Sequence, residues 1–257
     1  MSVTPAVRRT SPFATVARII SQLKADPRTV GLILVVPVLL LTLLYFVFVD
    51  VPVAAGHTPL FNTIGPIMLA VLPMLLMFIV TSVVMLRERT SGTLERVLTT
   101  PLSRWNLIAS YGAVFGFLSV AQSLILAVLV LGPMGVELAG PWWGLIIVAL
   151  LDGLFGVASG LLASAFARTE FQAVQFMPVF VAPQIFLCGL FVQNEHMPAL
   201  LAKVADVLPM TWAVDVVRQT LESSSLSSDS WLRIGLLAGV IILALLLASA
   251  TMRRSTK

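Results

Sequence analysis

Six long, nearly charge-free runs dictate what this chain can become: residues 30–49, 64–86, 107–131, 142–166, 173–192 and 234–252. A helix rises about 1.5 Å per residue, so roughly 20 apolar residues cross a hydrocarbon core about 30 Å thick. Lipid offers no partner to a bare backbone amide, which leaves a spanning segment two choices, a helix or a strand of a closed barrel. Barrel strands alternate apolar and polar residues, and no such alternation occurs here. The expected fold is therefore all-α: a polytopic membrane protein with six transmembrane helices. Composition agrees, with 58% hydrophobic residues, 11% charged and a mean hydropathy of +1.01.

The positive charges predict how the spans are oriented, because Lys- and Arg-rich segments stay in the cytoplasm. Arg8, Arg9, Arg18, Lys24 and Arg28 precede the first run, and Arg87, Arg89, Arg96 and Arg104 follow the second. With Arg168, Arg253, Arg254 and Lys257, thirteen of the sixteen basic residues fall on one side. The opposite loops hold Lys203, Arg218 and Arg233 beside seven acidic residues. Both termini are thus expected in the cytoplasm, in a multi-pass protein of the cell (inner or plasma) membrane. The basic balance reads as a topology signal and an attraction to anionic lipid, not as nucleic-acid binding. The first apolar run begins near Val30 and lacks a small-x-small cleavage site, so it is expected to be retained. Cys188 is the single cysteine and lies within the fifth run, which excludes an intrachain disulfide.

Residues 1–29 form an N-terminal arm, 30–252 the six-span domain and 253–257 a tail. Within the arm, Phe13, Val16, Ala17, Ile20 and Leu23 recur at helical spacing with Arg18 and Lys24 between them, predicting an amphipathic helix on the membrane surface that Pro27 ends. Prolines 37, 66, 73, 178 and 183 mark the first, second and fifth spans as kinked. Gly112 and Gly116, then Gly153, Gly156, Gly160 and Ser164, place small residues three and four apart and predict close packing of the third and fourth spans. The 193–230 segment carries two short apolar stripes, 200–208 and 212–221, separated by Pro209. They predict two re-entrant outer helices before the last span, followed by a flexible Ser-rich linker over 223–230.

Several chemistries are missing from the sequence. No Gly-x-x-x-x-Gly-Lys-Ser/Thr loop is present to cradle phosphates, no His spacing suits a metal, and no Gly-x-Ser-x-Gly elbow occurs. The chain is not expected to be an enzyme or to hold a cofactor. Asp152, near the middle of the fourth span, is the one acid placed deep in the bilayer, where insertion costs about 3 kcal/mol. It can receive a cationic substrate, carry a proton, or stay protonated against a neighbouring hydroxyl. Phe78, Phe176, Phe180 and Phe186 can form an aromatic wall for lipophilic substrates, or fill packing and face lipid.

Between the second and third runs, residues 87–106 return to water with four arginines and two glutamates. After Gly92 and Thr93, residues Leu94, Val97 and Leu98 recur at i, i+3 and i+4 while Glu95 and Arg96 point elsewhere, which predicts one or two amphipathic turns that Pro101 stops. This stretch, Arg87-Glu88-Arg89 then Ser91-Gly92-Thr93-Leu94-Glu95-Arg96 and Thr99-Thr100-Pro101-Leu102-Ser103, resembles the signature loop of type 2 ABC exporter permeases of the daunorubicin/multidrug-resistance group. Pro209-Met210-Thr211-Trp212-Ala213-Val214-Asp215 with Arg218 is similar to that group's re-entrant element. The resemblance implies a permease whose 87–106 loop is a cytosolic coupling helix docking on a separate ABC ATPase subunit. That subunit would bind ATP and Mg, and a second permease copy would complete a homodimer. On that reading Arg89, Glu95 and Arg96 contact the ATPase while Leu94 and Leu98 fill a groove. The alternative is a proton-coupled secondary transporter with Asp152 as carrier; an intramembrane enzyme would need a pair of catalytic groups at membrane depth that the sequence does not supply.

Overall fold

The computed structural model describes residues 12–52, 58–91 and 104–251. Along these residues run the helices α1 (Pro12–Ala25), α2 (Pro27–Phe48), α3 (Leu60–Thr90), α4 (Arg104–Leu131) and α5 (Trp142–Ser164). They are followed by α6 (Glu170–Leu187), a single 3-10 turn (Asn194–His196), α7 (Ala199–Ala205), α8 (Pro209–Glu222) and α9 (Ser228–Thr251). No strand occurs among the described residues.

Local chemistry accounts for most boundaries. Pro27 disfavours helical backbone at Asp26, so α1 stops at Ala25 as expected. Asp26 then caps α2: its carboxylate accepts from the Thr29 amide at 3.2 Å and from the Thr29 hydroxyl at 2.6 Å, with Pro27 in the first turn where no donor is needed. Those two bonds, the hydroxyl's foremost, hold the Asp26 carboxyl below its ordinary pKa. Thr169 caps α6 in the same way, accepting from the Gln172 amide at 3.2 Å.

Five helices, α2, α3, α4, α5 and α9, are long and apolar enough to cross a membrane. They correspond to five of the six expected spans. The expected fifth span, 173–192, takes a different form. Helix α6 ends at Leu187, and Gly189 follows at φ +90°, a left-handed conformation that favours glycine. Its 18 residues include Gln175, Gln184, Pro178 and Pro183, which dilute the apolar run. Two short helices, α7 and α8, occupy the stretch where two helices were expected before the last span. The Ser-rich linker is shorter and better held than expected, because α9 begins at Ser228. Gln219 Oε1 accepts from the Ser227 amide and hydroxyl, both at 3.1 Å, and from the Ser230 hydroxyl.

Helix α5 is the hub, packing on α3, α4, α8 and α9, with its most extensive contact against α3. Lipid tails are as apolar as leucine, so helices in a bilayer gain little from apolar contact alone and depend on close backbone approach. Glycines supply it. A methyl group at Gly156 would meet the Met74 backbone, 2.8 Å from its Cα, and one at Gly160 would strike the Phe78 carbonyl and Thr81 hydroxyl. The small-residue face of α5 therefore turns mainly toward α3, while Gly116 of α4 fits against Leu154 of α5. Thr81 Oγ1 donates to Met77 O at 2.6 Å and approaches Val157 O of α5 at 3.3 Å, and Ser123 Oγ of α4 donates to Ala149 O at 3.2 Å. Such interhelical bonds contribute about 0.6 kcal/mol each. Gly156→Ala should destabilise the protein by about 1–3 kcal/mol, because the methyl meets backbone that cannot rotate away. A lowered unfolding temperature in detergent is the expected result, and an unchanged one would remove the α3–α5 contact as the source of stability.

Candidate functional site

Helix α3 has 31 residues and so rises about 46 Å, well beyond a hydrocarbon core of about 30 Å. Its overhanging end carries Arg87, Glu88 and Arg89, and consecutive helical residues point about 100° apart. Each therefore reaches a different neighbour. Arg87 forms a two-pronged pair with Glu170 at the start of α6, Nε to Oε1 and Nη2 to Oε2 both at 2.8 Å. Arg89 donates through Nη1 to the Ser164 carbonyl at the end of α5. Glu88, 8% exposed, turns beneath α1, where its carboxylate accepts from Gln22 Nε2 at 3.1 Å and from Arg18 Nη1 at 3.4 Å. Arg18 Nη2 also donates to the Tyr111 hydroxyl of α4 at 3.4 Å.

These ties differ in strength. The Arg87–Glu170 pair is more than half exposed on both sides, which limits it to about 0–1 kcal/mol despite its two-pronged geometry. Its hydrogen bond to Arg87 still holds the Glu170 carboxyl below the usual range. Glu88 is a buried charge, and removing a partner leaves it poorly solvated, a heavier loss. The remaining expected coupling residues, Gly92, Thr93, Leu94, Glu95, Arg96 and Leu98, lie outside the described residues. Arg87, Glu88 and Arg89 are placed at the root of that segment with their charges directed to α6, α1 and α5.

Toward the membrane interior, α3, α5, α6 and α9 surround an open cavity of about 570 Å³. Phe78 stacks on Phe180 with ring centres 5.4 Å apart and planes 12° from parallel, and Phe155 leans on Phe180 at 6.0 Å. Phe176 also lines the space, so three of the four expected aromatics come together. The fourth does not: Phe186 is 64% exposed and stacks on Phe191 at 5.5 Å, away from the cavity. The sequence reading missed Phe155, Ser159 and Gln184, which line the cavity from α5 and α6. For Phe155 and Ser159, their spacing on α5 relative to the glycine face was the available signal.

Asp152 is fully buried, and both its carboxylate oxygens lack a hydrogen-bond partner among the described residues. It does not line the aromatic cavity.

The far end of the cavity is closed by the start of α8, where Leu208 and Pro209 line it and Gln184 Oε1 accepts from the Met210 amide at 3.4 Å. Thr211 is fully buried one residue further on, and Trp212 donates through Nε1 to Asp206 O at 2.7 Å. Arg218 donates to the Gly189 carbonyl, fastening α8 to the end of α6. Asp215 pairs with Arg233 of α9 at 2.5 Å, and Arg233 also bonds Asp229 at 2.6 Å. Burial raises the Asp215 carboxyl above its ordinary value, opposed by Arg233 and Arg218. Of the five residues singled out on the 209–218 stretch, Arg218 ties α8 to the end of α6 and Asp215 ties it to α9.

Five helices long and apolar enough to cross a membrane, a charged overhang and an apolar cavity fit a helical membrane protein. Residues 12–221, more than half of the chain, match the family model described as ABC-2 type transporter, and the chain belongs to that family. It is 28% identical over 154 residues to the probable multidrug ABC transporter permease YbhR of Escherichia coli, a match covering 60% of this chain and 42% of that one. It is 26% identical over 144 residues to the linearmycin resistance permease protein LnrN of Bacillus subtilis, covering 56% and 37%. Nodulation protein J of Rhizobium leguminosarum bv. viciae is 24% identical over 172 residues, covering 65% and 64%. The matched stretch thus spans less than half of YbhR and of LnrN.

The Glu88 junction has a direct test. Arg18→Ala and Glu88→Gln, singly and together, should show a coupling energy of about 1–3 kcal/mol in a double-mutant cycle on thermal unfolding. Additive effects would show that the two side chains do not act on one another.

Proposed function

We propose that this permease is the membrane subunit of an ATP-driven exporter that moves lipophilic compounds out of the cell. A separate ABC ATPase subunit would bind the ATP and Mg, and a second copy of the permease would complete the transporter. Both termini and the 87–106 segment would face the cytoplasm of a cell (inner or plasma) membrane, with α6 as a sixth, less apolar crossing, α1 on the membrane surface and α7 and α8 re-entrant from the outer side.

The observation that carries this reading is the junction at the root of the 87–106 segment. Three successive residues of one overhanging helix reach three other elements, so a push on that segment would be delivered to α1, α5 and α6 together. The pushing protein would dock on the segment 92–103, with Leu94 and Leu98 in a groove and Glu95 and Arg96 in charged contacts. Closure of two ATPase subunits around ATP would then shift the helices between inward-open and outward-open states.

Cargo chemistry follows from the cavity. Its walls are phenylalanine, leucine and valine with Ser159 and Gln184 as polar points, a lining suited to a lipophilic molecule with one or two hydrogen-bonding groups. The names of YbhR and LnrN as multidrug and linearmycin resistance permeases support drug or antibiotic cargo. Helix α6 supports pairing of two copies: it leaves Gln175 exposed among Phe171, Val179 and Phe186, and a polar group at membrane depth is better covered by protein than by lipid.

A second reading, proton-coupled transport, has one observation in its favour, the buried and unpartnered Asp152 carboxylate. Two measurements separate the readings. Leu94→Asp should leave the permease folded and reduce pull-down of the ATPase at least tenfold; undiminished binding would sink the docking assignment. Asp152→Asn should leave efflux within about twofold of the parent protein, and a collapse of efflux with protein level unchanged would favour the proton route.

A further inference from the structure

Beneath α1 lies a second groove, of about 650 Å³, within the roughly 300–1,000 Å³ of small-molecule sites. Val16, Ile20 and Leu23 of α1 roof it, and Gly31 of α2 with Ala113 and Phe117 of α4 lies below. The space is open rather than filled: a methyl group on Gly31 would meet nothing within 4 Å, and Phe117 is 73% exposed. Helix α1 cannot roll down to close it, because Arg18 and Gln22 fasten its other side to Glu88.

The lining has one polar side chain, Lys24, at the end of α1. Lys24 is exposed and makes no ion pair among the described residues, whereas Arg18 in the same helix is engaged with Glu88. The aromatic cavity described above has no charged residue in its lining. A peptide in this groove would find no partners for its backbone groups. A hydrocarbon chain ending in one anionic group fits both the apolar walls and the single cation at their rim.

We propose that this groove holds one anionic phospholipid, an acyl chain between α1, α2 and α4 and its phosphate on Lys24. The assignment of the cytosolic leaflet rests on the topology given under Proposed function; retention of lipid by the permease alone does not. Because α1 is tied to Glu88 at the root of the 87–106 segment, the lipid would set the seating of α1 where force arrives, making coupling dependent on anionic lipid.

The test uses the full chain, purified in mild detergent, stripped of lipid and titrated with phosphatidylglycerol or phosphatidylcholine, with bound lipid counted by native mass spectrometry. The parent protein should retain one phosphatidylglycerol per chain about fivefold more tightly than phosphatidylcholine, the preference expected from one basic residue at a membrane surface. Lys24→Gln should erase that preference, and Gly31→Trp should abolish retention of both lipids. Lys24 is exposed, so its variant stays informative even if Gly31→Trp does not fold. Equal retention of the two lipids by the parent protein, or a preference unchanged in Lys24→Gln, overturns the proposal. No ATPase is required, so failure here is distinct from failure of the exporter reading.

Discussion

Everything in this protein depends on α3 and α5 coming close enough for backbone to touch backbone. In lipid no hydrophobic force drives two apolar helices together, so contact must come from dispersion, from interhelical hydrogen bonds and from the absence of side chains in the way. Gly156 and Gly160 remove the obstruction, and the Thr81 hydroxyl, shared between Met77 O and Val157 O, adds a bond across the gap. With that contact made, α5 can serve as the post on which α4, α8 and α9 also pack.

The same contact turns α3 into a lever. A helix about 46 Å long, gripped along its buried half, must carry its last turns out of the bilayer as a stiff extension. Arg87, Glu88 and Arg89 then diverge because helical residues do, and each finds a partner on a separate element. At the opposite end, Arg218 and the Asp215–Arg233–Asp229 group tie α6, α8 and α9 together over the aromatic cavity.

Much of the secondary structure was legible because its causes are local. Pro27 and Asp26 mark the break between α1 and α2, and the stripes on either side of Pro209 mark α7 and α8. Less legible was α6, where an apolar run long enough to span is cut short by Gly189 and diluted by two glutamines. The Ser-rich stretch after α8 read as a loose linker because Gln219, its organiser, lies upstream on another helix. The aromatic wall was legible only in part: Phe78, Phe176 and Phe180 meet, Phe186 turns outward, and Phe155 joins from a helix chosen for its glycines.

By itself the amino-acid sequence determined that this chain enters a membrane as helices and where most of them begin and end. Hydrophobic length, proline and capping residues act within a few turns of where they stand. Only the tertiary structure decided that α5 presents its glycines to α3, that Glu88 belongs to α1 while Arg87 belongs to α6, and that Asp152 is sealed away from the cavity. Those outcomes depend on the rotation of each helix about its own axis, which is set by the fit of neighbouring surfaces far apart in the chain.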